Sequence, residues 1–324
     1  MVATMYTPAS NIIGSHKYSG EPAPDIINLT LSTLDPRLTY TGPAHYYFNS
    51  AGVLTLSAAN EWPLEYRNGV PMGRHEPEPA AVNQFNSTGY LSNGVTSTAT
   101  TGKSGLPGIL LTEVTGTRRH NISPAHTYTV GQSFTLSAFV EQTAKSRGFA
   151  YVQTSSNSIA AVSILGGISF SDASISWSSD NSVTGVTLDA ELISQGVISM
   201  RSSLTPTVET TATNAAEIGS SIASLNGVLG PTSYAGDTTY SLVVSGLQFE
   251  DGILRTSPIV ATDGTASRAA SSVTLDTTGV SYIVVGYSDG SSNNYDTPDD
   301  TFTIPLASRN WGDRYIAAIE VISS

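Results

Sequence analysis

Residues 133–141 set Phe134, Leu136, Ala138 and Val140 at every second position, with Thr135 and Ser137 between them. A period of two places alternate side chains on one face of an extended chain, so this run predicts a strand with one apolar side. The same alternation recurs at Val186, Leu188, Ala190 and Leu192, and at Tyr240, Leu242 and Val244. Further strands are expected at 109–111, 149–154, 159–165, 196–203, 281–287, 301–306 and 315–322. Turn residues interrupt these runs roughly every 8 to 12 residues, the rhythm of an antiparallel sandwich. A parallel sheet would need a crossover helix between most strands, and only one amphipathic segment is visible. There Asn214 and Glu217 form a capping box, Ile218, Ile222 and Leu225 share a face, and Gly227 supplies a stop, which predicts a short helix. The expected fold is all-β: an antiparallel β-sandwich with an extended N-terminal arm and one short helix.

The remaining segments are read from their punctuation. Residues 1–38 are broken by Pro8, Gly14, Gly20, Pro22 and Pro24, and form the expected arm. Its alternating patch at 26–31 would suit a strand added to a neighbour's sheet. Residues 46–56 read as a hairpin. Residues 64–79, rich in Pro and Gly, read as a long surface loop, and 86–108, rich in Ser, Thr and Gly, as a loop or linker. The expected division is an arm over 1–38, a main domain over 39–280 and a C-terminal β segment over 281–324. That last segment would complete the sandwich or an interface.

Charge and composition limit the function. The net charge is −12, with lysine only at 17, 103 and 145, which opposes binding to nucleic acid phosphates or to an anionic membrane. No run approaches the roughly 18 apolar residues of a membrane span. Cysteine is absent, which excludes disulfides, thiolate catalysis and Cys-based zinc sites. The N-terminus, MVATMYTPAS, has no basic segment followed by an apolar core, so no signal peptide is expected. That suits a protein assembled in a cytoplasm and released by lysis.

Two groups of motifs carry a family resemblance. One is GLQFEDG at 246–252, then TSPI, then GTASRAA at 264–270 before an apolar run. The other is YFNSAGVL at 47–54, then AANEWP at 58–63, then EPAAVN at 78–83. Between them lie the strands at 133–141 and 196–203, the second carrying Arg201. The order resembles lectin-like jelly-roll domains of phage tail and head fibre (spike) proteins, over roughly residues 40–280. The resemblance implies a concanavalin-like jelly roll in which Glu78, Asn83, Arg201, Gln248, Glu250 and Arg268 are structural motif residues. Two departures stand out. Ser271 replaces an acid after Arg-Ala-Ala, so it offers Arg268 no ion pair. Val197, Ile198, Ser199 and Met200 replace an aromatic pair before Arg201.

Catalytic constellations are thin. No G-x-S-x-G elbow occurs, and the five histidines fall in expected loops. Glu76 with Glu78, and Glu250 with Asp251, are candidate carboxylate pairs for glycosidic cleavage, but they coincide with the motifs above. His75 in HEPEP lacks the helix a zinc site would need. The acidic loop 289–300 offers oxygen ligands to calcium without EF-hand spacing. No cofactor or metal is expected. Sugars present apolar C–H faces and hydroxyl rims, so glycan sites pair aromatics with amides and carboxylates. Candidates are Trp62, Tyr66 and Arg67; Trp177, Asp180 and Asn181; and Asn293, Asn294 and Tyr295. The functional expectation is a non-enzymatic virion fibre or spike, of a phage or phage-like gene-transfer particle. It would be homotrimeric, bound to other virion proteins through its arm, and would attach to bacterial surface polysaccharide. The alternatives are a structural decoration or connector protein and a polysaccharide depolymerase.

Overall fold

The computed structural model describes residues 25–85, 90–124, 126–153, 165–177, 186–205, 210–212, 217–221, 233–261, 264–297 and 299–323. These residues form antiparallel β-sheets throughout. They divide into two compact units, one from Met1–Ala80 with Arg268–Ser324 and the other from Ala81–Ser267. The division differs from the expected boundaries at 38 and 280: the described residues before 81 pack with those from 268 on, and the middle packs by itself.

The continuous unit contains two six-stranded sheets. The first runs Val186–Ser194, Val197–Leu204, Phe134–Gln142, Ser241–Asp251, Pro107–Glu113 and Val95–Thr101 in spatial order. The second runs Ile175–Trp177, Leu165–Ser169, Phe149–Gln153, Glu217–Ser221, Asn121–Pro124 and Tyr90–Asn93. One hydrophobic cluster draws on both, with Leu136, Val140, Ile198 and Val244 from the first and Ile122, Ala150, Val152 and Ile218 from the second. The Phe134–Gln142 strand sits inside its sheet, and its second face is buried as well.

The strand Ser241–Asp251 changes phase midway. Phe139 pairs with Ser245 and Ser137 with Gln248, so Gly246 and Leu247 form a bulge. Gly246 has φ +55°, which a glycine adopts freely, and a Cβ there would meet Leu106 Cδ1 at 2.4 Å. The bulge keeps Leu242, Val244, Leu247 and Phe249 in the core while aiming Gln248 and Glu250 at the opposite face.

In the discontinuous unit, a four-stranded sheet runs Asp25–Asn28, Ile316–Ser323, Val280–Tyr287 and Ser292–Asp296. A three-stranded sheet joins Leu38–Thr41, Ser272–Asp276 and Thr301–Thr303. Ile27, Tyr40, Trp62, Leu275, Ile283 and Ile319 belong to their shared core. The hairpin expected at 46–56 forms, with Tyr46 opposite Leu56.

Several expectations are corrected. The helix over 214–227 is not formed where the chain is described: Glu217–Ser221 is a strand between Phe149–Gln153 and Asn121–Pro124. Ile218 enters the core there and Glu217 pairs with Arg119 at 2.9 Å, so neighbouring backbone outweighs the helical pattern. Residues 213–216 and 222–232 lie outside the described residues. The linker at 86–108 contains the strands Tyr90–Asn93 and Val95–Thr101. The latter is an exposed edge rich in β-branched threonine, which needs no apolar face to pair with its hairpin partner. The surface loop at 64–79 holds the hairpin Glu65–Arg67/Val70–Gly73, turned through Asn68 and Gly69, both at positive φ. Much of it is buried, including Glu65, Arg74, His75, Glu76 and Glu78. Within the patch at 26–31, Asp25–Asn28 pairs with Ile316–Ser323 of its own chain. The acidic loop contains the edge strand Ser292–Asp296. The strand expected at 159–165 falls largely outside the described residues.

Candidate functional site

The motif residues behave as buried ties. Arg268 pairs with Glu78 at 3.0 Å, both nearly inaccessible. The Glu78 amide donates to the Ser271 hydroxyl at 2.8 Å, and the Ser271 amide donates to the Glu78 carbonyl at 2.9 Å. Arg268 thus finds its carboxylate upstream, and Ser271 fastens the same segment through neutral hydrogen bonds. Asn83 uses all of its side chain: its amide donates to Leu247 and Ile259 carbonyls, and its oxygen accepts from Phe85 and Phe249. Arg201 stands apart. It lies on the outer face of the first six-stranded sheet and pairs across strands with the exposed Asp189 at 3.2 Å. Val197, Ile198, Ser199 and Met200, which replace the aromatic pair, are all buried, and Arg255 donates to Ser199 Oγ at 2.5 Å.

Downstream of Gly252 the chain folds back over that outer face, burying Arg255, Thr256, Ser257 and Ile259. Gln248 and Glu250, two residues apart on the bulged strand, point at this arm. Glu250 Oε1 accepts from Thr256 Oγ1 at 2.6 Å, and Glu250 Oε2 accepts from Gln248 Nε2 at 2.5 Å. Gln248 Oε1 accepts from the Ile259 amide at 2.6 Å. Thr256 and Ile259 stand in the sequence only as the ends of TSPI, with no role of their own; a hydroxyl eight residues beyond Gln248 gains meaning only once the arm returns.

The candidate carboxylate pairs do not act as pairs. Glu76 is clasped by Arg314 through two bonds of 2.8 Å, while Glu78 belongs to Arg268. Glu250 is buried and Asp251, on the opposite face of the strand end, is exposed.

The glycan candidates separate into three fates. Trp62 is a core residue, 3% exposed, stacked on Tyr40 with ring centroids 5.9 Å apart, and its Nε1 donates to the His75 carbonyl. Tyr66 and Arg67 are half-buried in the hairpin, and the Arg67 guanidinium lies over Phe48 at 4.7 Å. Trp177 ends a strand, while Asp180 and Asn181 lie outside the described residues. Asn293, Asn294 and Tyr295 lie together on the edge strand Ser292–Asp296. The two asparagines are exposed, and the half-buried Tyr295 ring rests 5.1 Å from Phe302. Asn293 Nδ2 donates to both the Tyr295 and Tyr287 hydroxyls at 3.2 Å. Tyr287 is buried, and desolvation pushes its hydroxyl up to about 12. Of the three clusters, this one places an exposed amide, Asn293, beside a partly accessible ring, with Asn294 on the other face of the strand.

A further cluster is not apparent in the sequence because folding brings together the segment before the 46–56 hairpin and both ends of the Glu65–Arg67/Val70–Gly73 hairpin. His45 and His75 are both buried, with rings 4.3 Å apart, and His75 Nδ1 is 3.5 Å from a carboxylate oxygen of the fully buried Glu65. Neither Glu65 oxygen nor either His75 nitrogen meets a hydrogen-bond partner among the described residues. Desolvation, reinforced by His75, lowers the His45 pKa to about 3. Among the described residues, no group of three or more His, Asp or Glu is placed to hold a metal ion.

No protein-family model matches the chain, and no curated protein matches it.

Proposed function

We propose that this chain is a virion fibre or spike protein, of a phage or phage-like gene-transfer particle, that attaches to bacterial surface polysaccharide without cleaving it. On this reading the two six-stranded sheets around one core are a jelly-roll sandwich. The protein is a homotrimer, and residues 1–38 join it to other virion proteins. The antiparallel all-β architecture and the net charge of −12 support an exposed, weakly interacting scaffold.

The observation that carries the attachment role is the edge strand Ser292–Asp296. Asn293 offers donors and acceptors for sugar hydroxyls, and Tyr295, on the same face of the strand, offers part of a ring face to C–H groups. The test is an array of bacterial capsular and lipopolysaccharide glycans probed with purified protein, together with antibody labelling of intact particles. Saturable glycan binding that falls in an Asn293→Ala/Tyr295→Ala variant, with label on the particle, is the expected outcome. Labelled particles without glycan binding favour a decoration or connector protein. Release of reducing ends from the polysaccharide favours a depolymerase.

A further inference from the structure

Gln248, Glu250, Thr256 and the Ile259 amide bring together, in one buried cluster, the groups that an acyl transfer uses. Thr256 Oγ1 is a hydroxyl nucleophile, hydrogen-bonded to Glu250 Oε1 at 2.6 Å and 3.3 Å from Gln248 Nε2. That nitrogen sits on the carboxamide carbon that would be attacked. The other oxygen of the same carboxylate receives Gln248 Nε2–H at 2.5 Å, so one carboxylate bridges nucleophile and leaving group. The Ile259 N–H, 2.6 Å from Gln248 Oε1, points where negative charge would develop. Gln248 and Glu250 are each 2% exposed and Thr256 5%, so water is kept from the reacting atoms.

We propose that Thr256 and Gln248 condense into an intramolecular ester. Glu250 takes the hydroxyl proton as Thr256 Oγ1 attacks Gln248 Cδ. The tetrahedral intermediate carries its charge on Oε1, held by the Ile259 amide. It collapses by breaking the Cδ–Nε2 bond while Glu250 returns the proton to nitrogen. The products are the Oγ1–Cδ ester and ammonia, and Glu250 ends as it began, so the atoms balance without oxidant or co-reactant. At neutral pH the ammonia leaves as ammonium, which opposes reversal. The fold holds nucleophile and acyl group side by side, which supplies the high effective concentration such reactions need. In a chain without cysteine, the ester ties the arm to the Ser241–Asp251 strand, a tie of the kind a disulfide makes elsewhere. This proposal does not depend on the attachment role.

The test uses the full chain, purified and measured by intact mass spectrometry. The expected mass is the sequence mass less one ammonia. Arg255 is the only Lys or Arg between Gln248 and Thr256. Trypsin acting on denatured protein therefore leaves peptides 202–255 and 256–268 joined, and hydroxylamine separates them. Thr256→Ser keeps the link. Thr256→Val and Gln248→Glu lose it, and Glu250→Gln slows its formation at least roughly 100-fold. The wild-type mass decides the matter even if a variant fails to fold. An unchanged mass after prolonged incubation, tryptic peptides that separate without hydroxylamine, or ammonia loss that persists in Thr256→Val overturns the proposal.

Discussion

Replacing His45 with glutamine isolates one contribution to acid sensitivity. His45 is 2% exposed. Its Nδ1 lies 3.3 Å from the Tyr40 hydroxyl, the Ser57 hydroxyl and the Pro43 carbonyl. His75, Glu78 and Arg268 are the charged or titratable groups acting on it besides Tyr40, and burial dominates, holding the folded pKa at about 3 against an ordinary 6.5. Between those values the unfolded chain binds a proton at this residue and the folded chain does not. The stabilisation is therefore complete above pH 6.5 and is lost as the pH falls toward 3. Each unit of pH in that window costs about 1.4 kcal/mol. From pH 7.5 to pH 4.5 the loss is about 3 kcal/mol, a large fraction of a typical domain's stability. Urea denaturation across pH 7.5 to 4.5, followed by tryptophan fluorescence, measures it, because Trp62 and Trp311 belong to the unit that holds His45. Glutamine does not titrate, so the wild-type curve should fall more steeply than that of His45→Gln, by about 3 kcal/mol from pH 7.5 to pH 4.5. Parallel curves would refute the reasoning, since the pH dependence would then arise elsewhere.

Removing Arg268 as alanine strands the buried Glu78 carboxylate and should destabilise by about 3 kcal/mol, read as a lower urea midpoint. Trp62→Ala empties a core position and costs roughly 3–5 kcal/mol, and it affects glycan binding only in proportion to unfolding. Arg147 clasps the buried Glu113 through bonds of 2.9 and 2.7 Å, so Arg147→Ala should lower stability by about 3 kcal/mol at pH 7. The exposed Asn294, on the face opposite Tyr295, should leave both stability, within about 0.5 kcal/mol, and glycan binding unchanged when replaced by alanine, which thermal melts and the array together measure.

Strands were legible wherever side chains alternate strongly. The runs around Leu136, Leu188 and Leu242 announce themselves because apolar residues at every second position share one face of an extended chain, whatever that face packs against. The hairpin at 46–56 is equally local. Misreadings arose where local preference met tertiary demand. The segment around Ile218 has a helix's spacing but becomes a strand, because two neighbouring strands offer its backbone partners and the core takes Ile218. The threonine-rich 95–101 segment shows little apolar alternation because, beyond the buried Val95, it is a largely exposed edge.

The all-β, antiparallel character and the lack of thiol chemistry follow from residue order and composition, since period two and absent cysteine need no partner to be meaningful. The location of each polar group could be settled only by folding. Glu78 meets Arg268 across 190 positions of chain, His45 meets His75 across 30, and Thr256 reaches Gln248 only because a bulge at Gly246 turns the strand and the arm doubles back. Burial decides what such groups can do: the same carboxylate or imidazole is a solvated charge on a loop and a perturbed, reactive or fastening group once water is removed.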